Sequence, residues 1–425
     1  MEQISFSWLV YIIMLVLIAV SRLHKSVITM TAGVVFLTSR YVSISDISKL
    51  SIINLDFILI LLGMSIFASF MKRSGMFQFM VLKAVRMSGW SMKKLIINIS
   101  VIIVMLSALF CDRASVTLIF PIVAFIFDAL NVEFNPVLLG ILNSASIGGV
   151  LLTISGIEVM LVSTVANIGF LDYLINITPA ILVSFIIQLV VLNYFHVKGD
   201  VDTSTVSMIK FNEEMALRGP NIFSKLMFIM VATLFLLGFS GIIGISDSAI
   251  VLTGSVLLFL MIDIPPDQIL SDIKLNMFFY IIGLQIVAVA FTKFHIYETA
   301  SLSILSYFDG HGFLLSLIIL FTGSLLSIFF GRLSMTFFYV PLILCMPASQ
   351  VNVFPLYAAF IMSMTFARAP TMLREIPKVL KNTHIEEKNV WNHYTNFLKD
   401  SSIVYLLNFI WLAIYIYFRF YYFVK

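Results

Sequence analysis

Two short stretches of this chain place a basic group and hydroxyl groups inside long apolar runs. The first, FCDRASVTLIFP, covers residues 110–121, and the second, FGRLSMTFFYVP, covers residues 330–341. In both, a serine and then a threonine follow an arginine at alternate positions. A guanidinium group offers paired donors to a carboxylate or an oxyanion, and hydroxyl groups near a helix start add further donors. The spacing predicts anion binding by Arg113, Ser115, Thr117, Arg332, Ser334 and Thr336.

The elements that must position these side chains are membrane helices. Of the 425 residues, 60% are hydrophobic and 11% are charged, whereas a soluble domain has about 25% charged residues. Many apolar runs reach the roughly 20 residues that a spanning helix needs. We therefore predict an all-α, multi-pass protein of the cytoplasmic membrane. About ten crossing helices are expected, near residues 6–22, 26–41, 52–71, 136–168, 172–196, 222–245, 247–262, 277–293, 355–373 and 401–422.

Two longer apolar stretches, 96–130 and 312–348, have the arginine motifs at their centres. One helix of that length would measure ~50 Å, too long for a hydrocarbon core of ~30 Å. Each stretch is either a re-entrant hairpin with the motif at its tip or a pair of short crossings. Irregular backbone at membrane depth needs surrounding protein or a cavity, which suits a hairpin tip.

Loop charges give the orientation. Residues 72–94 contain six basic residues and no acid, whereas residues 293–312 contain one lysine and no arginine. The positive-inside rule predicts that 72–94 is cytoplasmic and 293–312 is external. The net charge of +4 is small and spread over the loops, and it indicates no nucleic-acid partner. The two cysteines fit neither a disulfide framework nor a zinc site, so no metal or cofactor is expected.

An internal repeat relates the two motifs. Arg113 and Arg332 are 219 positions apart (332 − 113), and the same offset relates Pro136 to Pro355 and Ser144 to Ser363. Ser146 likewise matches Thr365. Because the loops that follow the matched helices differ in charge, the repeats are predicted to have inverted topology, as in many secondary transporters. The predicted segments are 1–50 (N-terminal helices), 51–196 (first repeat), 197–221 (cytoplasmic connection), 222–275 (linking helices) and 276–425 (second repeat).

The stretches LGMSIFASFMKRSGMF, SALFCDRASVTLIFPIV and PVLLGILNSASIGGVLLTISG resemble the ion transporter superfamily. That superfamily includes arsenite-permease-like, sodium–proton-antiporter-like and citrate-transporter-like proteins and is related to the divalent anion–sodium symporters. The resemblance implies a re-entrant hairpin and a broken helix in each repeat, with substrate and ions bound at the tips and breaks. It places site residues at Asp112 to Ser115, Ser144 to Gly149, Gly331 to Ser334 and Ser363 to Arg368.

Several candidate residues have two interpretations. Gly148 and Gly149 permit close backbone approach at a break. Asp112 is a coupling residue, or it only neutralises Arg113. Arg368 contributes to the site, or it extends to the membrane interface. Glu158 is a weaker candidate for proton coupling. The coupling ion is a proton or sodium, and the proton is favoured because Asp112 is present while the asparagines usual in the superfamily are missing.

These observations predict a secondary active transporter for a small anion, such as a carboxylate or an inorganic oxyanion. An arsenite or antimonite efflux permease, a sodium–proton antiporter and a channel are the alternatives within transport. A membrane-embedded glycosyltransferase or polysaccharide polymerase is the alternative of another class. No nucleotide-binding Walker A motif and no HExxH motif occur, so an enzyme is not expected. Whether the chain forms a homodimer stays open.

Overall fold

The structure, a computed structural model, describes residues 2–21, 23–89, 91–110, 115–116, 119–123, 135–196, 220–308, 311–373 and 390–422. Over these ranges the chain is helical and contains no strand. Seven helices within them are long and apolar enough to cross a bilayer, and five shorter apolar helices accompany them. The predicted all-α membrane fold is therefore confirmed.

The helices of the first half are α1 (Glu2–Val20), α2 (Lys25–Thr38), α3 (Ile44–Lys49), α4 (Leu55–Ser74), α5 (Met76–Met87), α6 (Met92–Phe110), α7 (Asn135–Gly148), α8 (Ile157–Val165), α9 (Phe170–Asn176) and α10 (Thr178–Val191). A π-helical turn, Leu192–His196, extends α10. The predicted crossing at 136–168 is interrupted, because residues 149–156 separate α7 from α8. Helices α8 and α9 meet at a bend of 109°.

The helices of the second half are α11 (Pro220–Ile243), α12 (Asp247–Met261), α13 (Pro266–Ser271), α14 (Leu275–Lys293), α15 (Ile296–Phe308), α16 (Gly312–Phe330), α17 (Arg332–Leu344), α18 (Val353–Leu373) and α19 (Val390–Ile416). A π-helical segment, Tyr417–Tyr422, follows α19. The apolar stretch predicted at 312–348 is a pair of helices, α16 and α17, that are joined at Gly331.

Local sequence signals set several helix boundaries. The Asn54 side chain caps α4 by accepting from the amide of Phe57 at 3.0 Å, and Gly75 ends that helix at φ 77°. Ser246 caps α12 through the amide of Ala249. Such side-chain acceptors satisfy amides that have no partner within the helix, which favours a start at these positions.

Two helix crossings use matched glycines. Helix α2 packs on α14, and α12 packs on α4. A Cβ on Gly283 of α14 would lie 2.4 Å from the backbone carbonyl carbon of Thr29, and a Cβ on Gly63 of α4 would lie 2.7 Å from Val251. Both crossings therefore require a residue without a side chain for close approach. In the repeat, α2 corresponds to α12 and α4 corresponds to α14. The crossing of α2 with α14 therefore corresponds to the crossing of α12 with α4.

Ion pairs fix the relative direction of α4 and α14. Lys72 and Arg73, at the end of α4, contact Asp272, which precedes α14, at 2.7 and 2.6 Å. Lys293, at the end of α14, contacts Asp46, which precedes α4, at 2.7 Å. The end of each helix thus lies beside the segment that leads into the other. Helices α4 and α14 run in opposite directions, as an inverted repeat requires.

The remaining core also has paired contacts. Helix α6 packs on α7 in the first half and α16 packs on α18 in the second. Helices α7 and α18, which contain the matched serines Ser144 and Ser363, pack directly on each other. Helix α17 contacts α8, α14 and α18. The predicted binding segments on α7, α17 and α18 therefore lie close together, between the two halves.

Candidate functional site

The start of α17 has an unusual backbone conformation. Gly331, the residue before the helix, has φ 88° and ψ 145°, a region that residues with side chains rarely adopt. The glycine turns the chain sharply, so that α17 begins directly after α16. The first turn of a helix presents amides without intrahelical partners and the positive end of the helix dipole. Arg332 is the first residue of this turn.

The side chain of Arg332 is buried and reaches two other helices. Its Nη1 donates to the carbonyl oxygen of Met364 on α18 at 3.3 Å. Its Nη2 lies 3.5 Å from Oε2 of Glu158 on α8. The two charged side chains are 2% and 4% exposed. A guanidinium from the second half therefore forms a buried ion pair with a carboxylate from the first half.

Glu158 lies directly after the interruption between α7 and α8. A Cβ on Gly156 would lie 2.5 Å from the carbonyl oxygen of Gly149 and 3.4 Å from Oε2 of Glu158. The segment 149–156 therefore folds back on itself, and only glycine fits where the chain re-enters a helix. This fold places the carboxylate in the first turn of α8, opposite Arg332. The interrupted helix that the resemblance implied for the first half is present.

Further polar groups surround the start of α17. The hydroxyl groups of Tyr280 on α14 and Ser334 share a hydrogen bond of 2.6 Å. The Lys25 ammonium lies 3.9 Å, and the Tyr280 hydroxyl 4.0 Å, from the position that a Cβ on Gly331 would take. Two basic side chains, Lys25 and Arg332, thus lie close to the helix start, where their charge adds to that of the dipole.

The other predicted hydroxyls are buried but mostly bond within their own helices. Thr336 donates to the carbonyl of Arg332 at 2.9 Å. Ser146, Ser363 and Thr365 also donate to carbonyl oxygens of the preceding turn. Such a bond gives the hydroxyl hydrogen a partner at membrane depth, and the hydroxyl oxygen can still accept a hydrogen bond. Ser144 differs, since its Oγ accepts from Gln188 on α10 at 2.9 Å.

Some of the remaining predicted residues lie in the described part of the chain and others lie outside it. Ser115 is buried. Gly148 packs against α6, where a Cβ would lie 2.5 Å from the carbonyl oxygen of Val104, so it serves helix contact. Gly149 provides the carbonyl that faces Gly156. The residues Asp112, Arg113 and Thr117 and the side chain of Arg368 lie outside the described part of the chain. The expected approach of Arg113 to Arg332 stays a prediction.

Four polar side chains were not predicted from the sequence. Tyr280 and Lys25 come from helices that carry no arginine motif, and Gln188 comes from a mostly apolar helix without charged residues. Gln285, on α14, is 4% exposed, and its amide has no hydrogen-bond partner among the described residues. A glutamine near the middle or end of a mostly apolar helix was the available signal for Gln188 and Gln285.

A many-helix membrane protein with an interrupted helix, and with buried charges where its halves meet, has the features of a membrane transporter. The comparison with known families agrees: residues 15–420 match the family model described as citrate transporter. The chain belongs to this family and is a multi-pass membrane protein.

Curated relatives are distant and carry general names. Over 322 residues, 75% of both chains, it is 22% identical to a 46 kDa membrane protein of Mycobacterium leprae (strain TN). It is 23% identical to an uncharacterized transporter of Mycobacterium tuberculosis (strain ATCC 25618 / H37Rv) over 285 residues, which cover 66% of this chain and 67% of the relative. These names indicate a transporter rather than an enzyme.

Proposed function

We propose that the protein is a secondary active transporter that carries a small carboxylate or inorganic oxyanion together with a proton. The observation that carries this proposal is the buried ion pair between Glu158 and Arg332, at 3.5 Å. It joins the interrupted helix of the first half to the start of α17 in the second. Charges at membrane depth are costly and are usually retained for function, and this pair lies where substrate sites of inverted-repeat transporters are found.

The pair suggests how a proton and an anion are coupled. Arg332 suits a carboxylate or an oxyanion, because its planar guanidinium donates two parallel hydrogen bonds. Glu158 already occupies one side of that guanidinium. An anionic substrate and the Glu158 carboxylate therefore compete for the same cation. A proton on Glu158 removes this competition, so that the anion and the proton bind together and cross together.

Electrostatics around the pair favour binding of an anion at Arg332 over a purely structural role of the ion pair. Of the described charged side chains on the helices packed against α8, Arg332 is the one in contact with Glu158. Lys25 and the first-turn amides of α17 add positive potential near the arginine. This positive potential favours an anion at the start of α17.

The family description supports a carboxylate as the first substrate to test, because citrate is the solute that it names. The proton as coupling ion is part of the proposal, and sodium is the alternative. The anion preference separates it from arsenite efflux and from sodium–proton exchange, which do not need a guanidinium that faces a carboxylate. Arsenite and sodium ions are therefore tested beside the anions.

The test is uptake into proteoliposomes that contain the purified full chain. Citrate, sulfate, phosphate and arsenite are supplied separately, under a proton gradient, a sodium gradient or no gradient. We expect proton-driven uptake of an anion, with citrate first. Arsenite movement without anion uptake would contradict the proposal, and anion flux that ignores both gradients would indicate a facilitator or a channel.

A variant series assigns the effect to Arg332. Arg332→Lys keeps the charge but loses the planar donor pair, and we expect partial activity. Loss of the guanidinium in the double variant Glu158→Gln/Arg332→Gln should weaken anion binding by about 1.5–3 kcal/mol, roughly 10- to 150-fold. Arg419→Gln is the matched control, because this arginine donates to Asn176 at 2.8 Å in another part of the fold. Equal binding in all variants would make Arg332 structural.

A further inference from the structure

The segment that joins α4 to α6 carries an excess of exposed positive charge. Residues 72–94 contain six basic residues and no acid. Two of the six form the ion pairs with Asp272 that link α4 to the segment before α14. The other four basic side chains are exposed, and they are Lys83, Arg86, Lys93 and Lys94. None of these three lysines forms an ion pair with a described residue.

Helix α5 has a buried apolar face and an exposed basic face. Its buried side chains are Met76, Phe77, Val81, Ala84 and Val85. Lys83 and Arg86 are three positions apart, so they are neighbours on the exposed side. The ring of Phe79, which is partly exposed, lies 5.6 Å from the Lys83 ammonium. Cations beside apolar side chains suit the membrane interface, where the apolar stems contact hydrocarbon and the charges stay at the headgroups.

The position of α5 in the fold keeps it at the membrane surface. Helices α4 and α6 are both long and apolar enough to cross a bilayer. Gly75 ends α4 and directly precedes α5, and α6 begins at Met92, a few positions after α5 ends at Met87. A helix held so closely between two crossings cannot leave the bilayer boundary. By the predicted topology this boundary is the cytoplasmic one, and its lipid headgroups lie within reach of the exposed cations.

Helix stability does not account for the lysines at the start of α6. Lys93 and Lys94 lie in the first turn of that helix. The positive end of the helix dipole disfavours a cation in this position, where acidic residues are stabilising. An anion beside the two lysines offsets this repulsion.

We propose that Lys83, Arg86, Lys93 and Lys94 form a surface that binds anionic phospholipids, such as phosphatidylglycerol. Attraction between basic residues beside a crossing helix and anionic lipids grows with each residue. The partly exposed apolar side chains of α5 favour a lipid over a soluble anion. Glu158 and Arg332 lie on α8 and α17, so this proposal does not depend on the proposed anion transport.

The test measures thermal unfolding of the purified full chain in an uncharged detergent by intrinsic fluorescence. Phosphatidylglycerol, phosphatidylcholine and glycerol phosphate are titrated separately. We expect a saturable rise in the midpoint with phosphatidylglycerol alone, because a ligand that binds the folded state stabilises it. Added salt should weaken this rise. Equal rises with the two lipids, or a rise with glycerol phosphate as large as with phosphatidylglycerol, would overturn the proposal.

Variants assign the response to this surface. Lys83→Gln/Lys93→Gln/Lys94→Gln should raise the phosphatidylglycerol concentration at half-effect at least ~10-fold. Lysine-to-arginine changes at the same three positions keep the charge and should keep the response. Lys93→Gln/Lys94→Gln, which should raise the half-effect concentration about three- to tenfold, replaces the triple variant if that variant does not purify.

A matched control separates this surface from positive charge in general. Arg40 and Lys49 are exposed basic residues at the other end of the fold, where α4 begins. Arg40→Gln/Lys49→Gln should respond to phosphatidylglycerol as wild type does. An unchanged response in the lysine-to-glutamine variants, or an equal loss in this control, would overturn the proposal.

The outcomes separate this proposal from the proposed function. Glu158→Gln/Arg332→Gln should lose anion binding yet keep the response to phosphatidylglycerol. Anion transport that fails while the lysine-dependent lipid response holds would contradict the proposed function alone.

Discussion

The two halves of the molecule share a scaffold but not all of their charges. Gly63 and Gly283 occupy matched positions and make matched close crossings, one with α12 and one with α2. The ion pairs at the ends of α4 and α14 are matched in the same way. In contrast, the ion pair between Glu158 and Arg332 is only half repeated in the sequence: Arg332 matches Arg113, but the position that matches Glu158 (158 + 219) is Pro377.

This difference separates two kinds of constraint. Contacts that hold helices together repeat, because the same packing problem occurs twice in opposite orientation. The arginine repeats as well, whereas the carboxylate that contacts it has no counterpart at the matched position of the sequence. From the matched crossings we infer that the repeat units include α1–α3 and α11–α13, and are thus wider than the segments 51–196 and 276–425 predicted from the sequence.

The largest expected effect comes from breaking the unmatched ion pair. Arg332→Gln or Glu158→Gln alone leaves a buried charge without its ionic partner, and we expect a loss of about 3–5 kcal/mol in the free energy of unfolding. The double variant should lose clearly less than the sum of the two. Chemical unfolding in detergent measures all three. Additive losses would show that the two side chains are not coupled.

A smaller effect tests the matched crossings. Gly283→Ala should destabilise the protein by about 1–3 kcal/mol, because its Cβ meets the backbone of α2, which cannot move aside cheaply. Gly63→Ala should cost less, since its closest contact is the side chain of Val251. Gly238→Ala on α11, where a Cβ meets nothing within 4 Å, is the control. Thermal midpoints compare them, and equal midpoints for Gly283→Ala and Gly238→Ala would contradict the close crossing.

The smallest effect concerns the matched ion pairs and depends on pH. Hydrogen bonds from Lys293 and Ser43 hold the pKa of Asp46 below its ordinary value of 3.8. Burial raises the pKa of Asp272, but hydrogen bonds from Lys72 and Arg73 outweigh burial and lower it. Depressed folded-state pKa values mean that both aspartates stabilise the protein above about pH 4. That contribution is lost as the pH falls through the folded-state values.

Asp46→Asn and Asp272→Asn should therefore lower the thermal midpoint slightly at neutral pH. The difference from wild type should shrink as the pH falls below about 4, where the wild-type carboxylates also lose their charge. Salt should reduce both differences, because these pairs are partly exposed. A midpoint difference that is constant across pH would indicate that packing, and not charge, underlies it.

The sequence predicted the helices, the junction at Gly331 and the matched repeat, because apolar runs and exact offsets of Arg, Ser and Pro are local signals. It did not predict which side chains meet. Glu158 and Arg332 are 174 positions apart (332 − 158), and their contact depends on how α8 turns after Gly156. Lys25 and Tyr280 likewise reach the start of α17 only through the crossing of α2 with α14.

A cavity lined by Asp56 and Asp247 is a second case in which the sequence does not predict which side chains come together. Its two aspartates begin different helices and look like ordinary first-turn acids in the sequence, where they favour helix starts. Only the packing of α12 on α4 brings them to one cavity. Local patterns thus identify elements and repeats, whereas contacts between distant segments define the sites.

Whether an anion and a proton bind together at Arg332 and Glu158 can be measured directly. Citrate is added to purified wild-type protein and to Glu158→Gln in weak buffer, at a pH where citrate is fully ionised, and proton uptake is read with a pH indicator. We expect wild type to take up a proton as citrate binds, with a citrate affinity that weakens as the pH rises. Glu158→Gln should bind citrate without proton uptake and with affinity independent of pH. Equal proton uptake by wild type and Glu158→Gln, or citrate binding to wild type without any uptake, would contradict the proposed exchange at Arg332.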